Sequence, residues 1–163
     1  METILVVEDD LDIHNLLKDV LEEAGYKVLN AYSGTEALMI IEKQEVDLIL
    51  LDLMLPGLNG EEIIKRIKNI PIIVLSAKIS QEDKVNTLLE GANDYITKPF
   101  NKEELLARIK VQLRIREYKN NVSELKYKDM ILKQDEHTLF IEGKPIHLTK
   151  TEYAIVKQLL LNP

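Results

Sequence analysis

The chain has 163 residues, room for one complete domain and part of a second, with 45% apolar and 30% charged residues, which sets it apart from disordered sequences. It has no cysteine, so disulfide scaffolds, thiolate zinc or iron-sulfur sites and thiol nucleophiles are excluded, and His14, His137 and His147 lack metal-ligand spacing. Net charge is −7, with 14 basic and 22 acidic residues in 1–117 and 7 and 6 in 118–163, so the first part repels a nucleic-acid backbone.

Met1-Glu2-Thr3-Ile4-Leu5-Val6-Val7 has no basic flank and too short an apolar run for a signal peptide, and no stretch approaches about 18 apolar residues. The sequence therefore predicts a soluble, cytoplasmic protein. Ile4-Leu5-Val6-Val7, Leu48-Ile49-Leu50-Leu51 and Ile72-Ile73-Val74-Leu75 are runs of a length suited to parallel strands buried on both faces, with weaker strands at Lys27–Ala31 and Asp94–Thr97. Between them, Ile13, Leu16, Leu17, Val20 and Leu21 form a helical stripe that Gly25 is placed to end. Ser33 with Glu36, and Asn101 with Glu104, have capping-box spacing ahead of two further helices. Ile63, Ile64 and Ile67 mark a short helix, and Val85, Leu88, Leu89 and Ala92 another that ends around Gly91. Five strands alternating with five helices predict an α/β fold, a (βα)5 doubly wound parallel sheet with its working surface at the C-terminal rim of the strands.

Residues 116–127 lose this periodicity and read as the fraying end of the last helix running into a linker at 118–127. Ile131-Leu132 and Thr138-Leu139-Phe140-Ile141, with Glu142-Gly143-Lys144-Pro145 as a turn, predict short antiparallel strands. Thr149 with Glu152 then caps a helix through Ile155, Val156, Leu159 and Leu160 that stops at Asn162-Pro163. About thirty-five residues bury little core, so residues 128–163 read as the N-terminal fragment of a second domain.

The residues able to do chemistry gather at the predicted rim. Glu8, Asp9 and Asp10 end the first strand and Asp52 ends the third; such carboxylates repel one another unless a hard cation such as Mg²⁺ joins them. Asp10 and Asp12 also suit the N-terminus of the first helix. Asp52 follows four apolar residues and precedes Leu53-Met54-Leu55-Pro56-Gly57, where a metal-bound carboxylate can attack phosphorus. Ser76 ends the fourth strand, and Lys98, beside Pro99 in a bond able to be cis, follows the fifth, where its ammonium would pair with an anion on Asp52.

These segments, with Gly91-Ala92-Asn93-Asp94-Tyr95-Ile96-Thr97-Lys98-Pro99-Phe100, resemble the receiver domain of two-component response regulators over residues 2–117, the CheY-like fold. Gly143-Lys144-Pro145-Ile146-His147-Leu148-Thr149-Lys150-Thr151-Glu152-Tyr153 is similar to the start of the winged-helix effector domain of the OmpR/PhoB type. The resemblance implies a receiver in 1–117, a linker in 118–127 and an effector fragment in 128–163. It implies that Asp52 accepts a phosphoryl group from a sensor histidine kinase. Asp9, Asp52 and the Met54 carbonyl would hold Mg²⁺ directly, with Glu8 acting through water. Ser76 and Lys98 would answer the phosphoryl group, and Tyr95, which by itself reads as a half-buried strand tyrosine with its hydroxyl in water, would swing inward as Ser76 moves. It further implies a homodimer through the fourth helix, fifth strand and fifth helix, with Lys84, Asp94, Glu104 and Arg108 in intersubunit ion pairs. Leu89 stands where the pattern often has an acid, and Ser76 where threonine is commoner. Met54 and Lys78 flank the site and are candidates for tuning the lifetime of the phosphorylated state. DNA recognition would need a complete effector domain, since no recognition helix precedes Pro163.

Two other classes compete. An aspartate-nucleophile phosphatase would carry an acid two residues after the nucleophile, where Met54 stands, and slow self-dephosphorylation is all that this chain should manage. A phosphorylation-independent interaction domain would have no need of Asp9, Asp52, Ser76 and Lys98 together. Nucleotide or flavin binding lacks a Gly-rich phosphate loop after the first strand.

Overall fold

The computed structural model describes residues 1–77 and 80–162. Elements follow one another as β1 (Thr3–Val7), α1 (Leu11–Glu23), β2 (Lys27–Ala31), α2 (Gly34–Lys43), β3 (Leu48–Asp52), α3 (Gly60–Arg66), β4 (Ile72–Ser76), α4 (Gln81–Leu89), β5 (Asp94–Thr97) and α5 (Lys102–Ser123). Then come β6 (Glu124–Tyr127), β7 (Met130–Lys133), β8 (Thr138–Ile141), β9 (Lys144–His147) and α6 (Lys150–Leu161). The chain divides into two compact units, Met1–Arg114 and Ile115–Pro163.

In the first unit the five strands are parallel, in the order β2-β1-β3-β4-β5. Successive side chains of a strand face opposite sides, so each apolar run fills two cores at once. Leu5, Val7, Ile49, Leu51, Ile72 and Val74 pack on one side with Ala37 of α2 and Ile63 and Ile64 of α3. Ile4, Val6, Leu48, Leu50, Ile73 and Leu75 pack on the other with Leu17, Val20 and Leu21 of α1 and Leu105 and Ile109 of α5. The helices begin where short polar side chains take up otherwise unpaired backbone N–H groups. Asp10 accepts from Asp12 N and Ile13 N, and Ser33 accepts from Glu36 N. Glu36 reaches one residue further back than a capping box requires, its Oε2 accepting from Tyr32 N at 2.9 Å. Gly25 and Gly91 follow α1 and α4 at φ +93° and +125°, conformations that suit glycine.

The second unit is a four-stranded antiparallel sheet in the order β6-β7-β8-β9, followed by α6, whose N-cap Thr149 accepts from Glu152 N. Antiparallel strands leading into a helix fit the start of a winged-helix domain.

Two expectations need correction. The stretch that reads as a fraying helix end and linker, residues 116–127, is nowhere irregular: α5 runs on to Ser123 and residues 124–127 form β6, paired with β7. Nor is 142–145 all turn, because Lys144 and Pro145 already belong to β9 and only Glu142 and Gly143, at φ 48° and 78°, make the bend. Pro145 is tolerated because β9 is an edge strand. Pro163 lies outside the described residues. Among the described residues, no helix is long and apolar enough to cross a membrane.

Gly60 opens α3 directly against the strand end that carries Asp52. A Cβ there would lie 2.8 Å from Leu53 Cα and 3.1 Å from Asp52 O, and these are backbone atoms with little room to give. Gly60→Ala is expected to destabilise by about 1–3 kcal/mol, the usual scale of overpacking, read as a lower urea midpoint with an unchanged slope.

Candidate functional site

The strand order reverses at β1, so the crevice of the sheet opens between the C-terminal ends of β1 and β3. The β1 register with β3 sets Val7 opposite Leu51, so Glu8 and Asp52 leave the sheet side by side. One carboxylate oxygen from each of Glu8, Asp9 and Asp52 lies within 4.8 Å of the others. Glu8 and Asp52 are buried and Asp9 is exposed.

Lys98 reaches in from the residue after β5 and donates to Glu8 Oε2 at 2.9 Å and to Asp52 Oδ2 at 3.2 Å. Its backbone N donates to Ser76 O at 2.9 Å, which ties it to the end of β4, and the Lys98–Pro99 peptide is cis. The remaining oxygens of the two buried acids take backbone donors: Met54 N to Asp52 Oδ1 at 3.0 Å and Asp10 N to Glu8 Oε1 at 3.2 Å. Three carboxylates against one ammonium leave about two negative charges to be met from solution, and the all-oxygen donor set suits a hard divalent cation. Asp9, together with Met54, Leu55 and Pro56 of the loop after β3, lines an open cleft of about 520 Å³ through which a reactant can approach.

Burial raises the Glu8 carboxyl above its ordinary pKa; the Lys98 hydrogen bond opposes this and the Asp52 charge adds to it. For Lys98, burial favours loss of the proton, but the hydrogen bond from its ammonium to Glu8 and the charges of Asp52 and Glu8 outweigh it, and its pKa is raised. Lys98 is thus a held cation at neutral pH.

The structure brings Glu8, Asp9, Asp52 and Lys98 into one cluster and places Ser76, fully buried, at the neighbouring strand end. Tyr95 is buried at 8% exposure on the α2 and α3 side of the sheet, not half-buried as expected, with Lys84 Nζ 5.6 Å from its ring centroid. Arg108 donates from Nη1 to both Asp94 oxygens at 3.0 Å and from Nε to Glu104 at 3.0 Å, so three of the four residues expected at a dimer face form one network within the chain. Asp10 is spent on capping α1. Lys78 lies outside the described residues. Sequence reading passed over His14, which is fully buried with Nδ1 3.0 Å from Glu8 O; a lone histidine on an otherwise apolar helix stripe gave no sign of that contact.

The family description "Response regulator receiver domain" fits residues 4–110. VanR of Enterococcus faecium is 37% identical, over 99% of this chain and 73% of that protein. The chain belongs to the response regulator family. The phosphate regulon regulator PhoB of Pseudomonas aeruginosa is 39% identical, over 96% of this chain and 71% of its own length, which sets this response regulator with the OmpR/PhoB type. Among solved structures, the receiver domain of the Francisella response regulator 1452 superposes with a TM-score of 0.68 at 36% identity, covering 71% of this chain and 98% of that one. A CheY-like receiver protein from Methanospirillum hungatei gives 0.69 at 34% identity, covering 73% of this chain and 98% of that one. The response regulator's first unit therefore has the receiver fold; receiver domains typically use Mg²⁺ at an acidic site, and this unit has the acidic cluster of Glu8, Asp9 and Asp52.

The crowding of charge has a thermodynamic signature. Because the folded Glu8 holds its proton more tightly than the unfolded chain does, native protein binds more protons between the ordinary carboxylate pKa and the raised one. Stability in EDTA should therefore fall as pH rises through that window, and Glu8→Gln should flatten the slope. Asp9→Asn should stabilise the metal-free protein at pH 7 by about 1 kcal/mol, the scale of two unit charges 4 Å apart in water. Thermal unfolding from pH 4.5 upward checks both; an unaltered pH slope in the Glu8 variant would count against the assignment.

Proposed function

We propose that this response regulator is a phosphorylation-dependent switch in which Asp52 accepts a phosphoryl group from the phosphohistidine of a sensor kinase. The observation that carries the reading is the Asp52 carboxylate with Lys98 Nζ 3.2 Å away and Glu8 and Asp9 beside it, in a cluster whose Asp9 lines the open cleft. An Asp52 oxygen bonds to phosphorus as the donor nitrogen–phosphorus bond breaks, and the imidazole leaves with the electron pair. Asp9, Asp52 and the Met54 carbonyl would hold Mg²⁺ directly and Glu8 through water, and the ion would supply countercharge to the transferring oxygens. Lys98 and the Ser76 hydroxyl then meet the new phosphoryl oxygens, whose added charge is about −1.5 to −2.

In this reading, residues 1–117 act as receiver and 128–163 as the opening of a winged-helix effector, and the protein works in the cytoplasm as a signal transducer without turnover of a substrate. Dimerisation uses α4, β5 and α5, with Lys84, Asp94, Glu104 and Arg108 on the face. Support comes from three α4 side chains with no core role: Val85 is 52%, Leu88 44% and Leu89 80% exposed. DNA binding and transcription control belong to a complete effector domain; the chain spans 73% of the length of VanR and 71% of that of PhoB.

Intact mass after incubation with acetyl phosphate should show one added phosphoryl group on wild type with Mg²⁺, and none on Asp52→Asn or without the ion. Absence of the adduct on wild type would refute the reading. The phosphorylated protein should also shift toward dimer in sedimentation velocity. Arg108→Ala should weaken that dimer, by about 0–1 kcal/mol for each exposed pair it removes, and less at high salt.

A further inference from the structure

His14 sits in the first turns of α1, yet its side chain belongs to the end of β1. A long side chain there leans toward the N-terminus of its own helix, which sets the ring over the strand end from which the helix departs. The ring is fully buried, its Nδ1 3.0 Å from the Glu8 carbonyl oxygen and its Nε2 2.7 Å from the Asn30 side-chain amide of β2. Tyr32 covers it from outside, stacked with ring centroids 4.4 Å apart and planes 20° from parallel. A carbonyl oxygen only accepts, so Nδ1 carries a proton and donates. Asn30 can offer its amide oxygen or, turned over, its NH2 group, so the second bond survives in either protonation state of the ring.

We propose that His14 is a positioning residue for the ion site: by donating to Glu8 O it fixes the peptide plane between Glu8 and Asp9, and with it the approach of the Asp9 carboxylate to a divalent cation. This rests on the reading of Glu8, Asp9 and Asp52 as that site. The preceding peptide is held as well, because Glu8 N donates to Ala31 O at 3.1 Å, so the Glu8 backbone is tied at both its N–H and its C=O. Asp9 itself is exposed, so its direction is set largely by the backbone from which it springs. The anchor continues outward, since Tyr32 N donates to Glu36 Oε2 at the start of α2. Outer groups that orient metal ligands typically matter about 10–100-fold in metal affinity.

The bland account, a histidine that merely fills space, predicts different variants. Asparagine can place an amide NH2 near the Nδ1 position, glutamine near Nε2, and leucine at neither. With Mn²⁺ as probe and free ion counted by electron paramagnetic resonance, His14→Gln and His14→Leu should raise the Kd about 10–100-fold, while His14→Asn stays within about threefold of wild type. Melting temperature in EDTA, recorded in parallel, is not expected to follow this order. Equal Mn²⁺ affinity in the Asn and Gln variants, whether both match wild type or both fall with stability, overturns the proposal. Should the buried substitutions fail to fold, Asn30→Ala at the half-buried outer partner serves instead: a several-fold weaker Kd is expected, and an unchanged one overturns it. If wild type itself binds no Mn²⁺, the ion-site reading falls first, a failure distinct from equal variants on a binding-competent wild type.

Discussion

Everything at the rim of the first unit turns on keeping like charges together. Glu8, Asp9 and Asp52 would separate or take up protons if left to themselves, and Lys98 holds the two buried ones with a single ammonium. One cation cannot neutralise three anions, so the cluster remains receptive to a second positive charge. Asp9 and the loop after β3 leave the unmatched negative charge facing an open cleft. The tension is held by backbone on every side: Met54 N and Asp10 N each donate into the cluster, and Glu8 is tied to Ala31 through its own N–H.

The sheet makes that concentration of charge tolerable. Strands buried on both faces can end in charged residues only at the rim, and the parallel arrangement puts all C-terminal ends at the same rim. Because helices connect consecutive strands, residues 8, 52, 76 and 98, far apart in sequence, become neighbours through the order β1-β3-β4-β5. The short apolar runs thus do two things. They build the two cores on either side of the sheet, and they fix to within a residue where each polar side chain emerges.

That double role is why so much of the fold is legible in the sequence. A run such as Leu48-Ile49-Leu50-Leu51 followed by Asp52 states both the strand and its polar exit, and the weaker strands fall at Lys27–Ala31 and Asp94–Thr97 as their composition indicates. Reading fails where structure rests on backbone pairing alone. Residues 118–123 carry no apolar stripe, although α5 includes them, and β6 has only Leu125 and Tyr127 to mark it. The placement of His14 under Tyr32 depends on side chains meeting across 18 positions, and no local pattern encodes such a meeting, whereas Lys98 is legible at the rim because it directly follows β5.

The same placement bears on how a small chemical event could reach a distant face. Ser76 and Lys98 end β4 and lie just past β5, and those strands pair so that Val74 stands opposite Tyr95 and Ser76 opposite Thr97. Tyr95 lies beneath Lys84 of α4, and Asp94, the residue before it, is clamped by Arg108 of α5. A phosphoryl group on Asp52 would compete for the Lys98 ammonium and the Ser76 hydroxyl, offering a few charge-assisted hydrogen bonds of about 1.5–3 kcal/mol each. Moving an equilibrium from 1:99 to 99:1 takes about 5.5 kcal/mol, so two or three such bonds suffice only if the alternative arrangement is already within reach. The required condition is therefore a β4–β5 edge that is well packed in two arrangements, and an aromatic ring bordered by a helix with three exposed apolar side chains is a place where a second packing has room to exist.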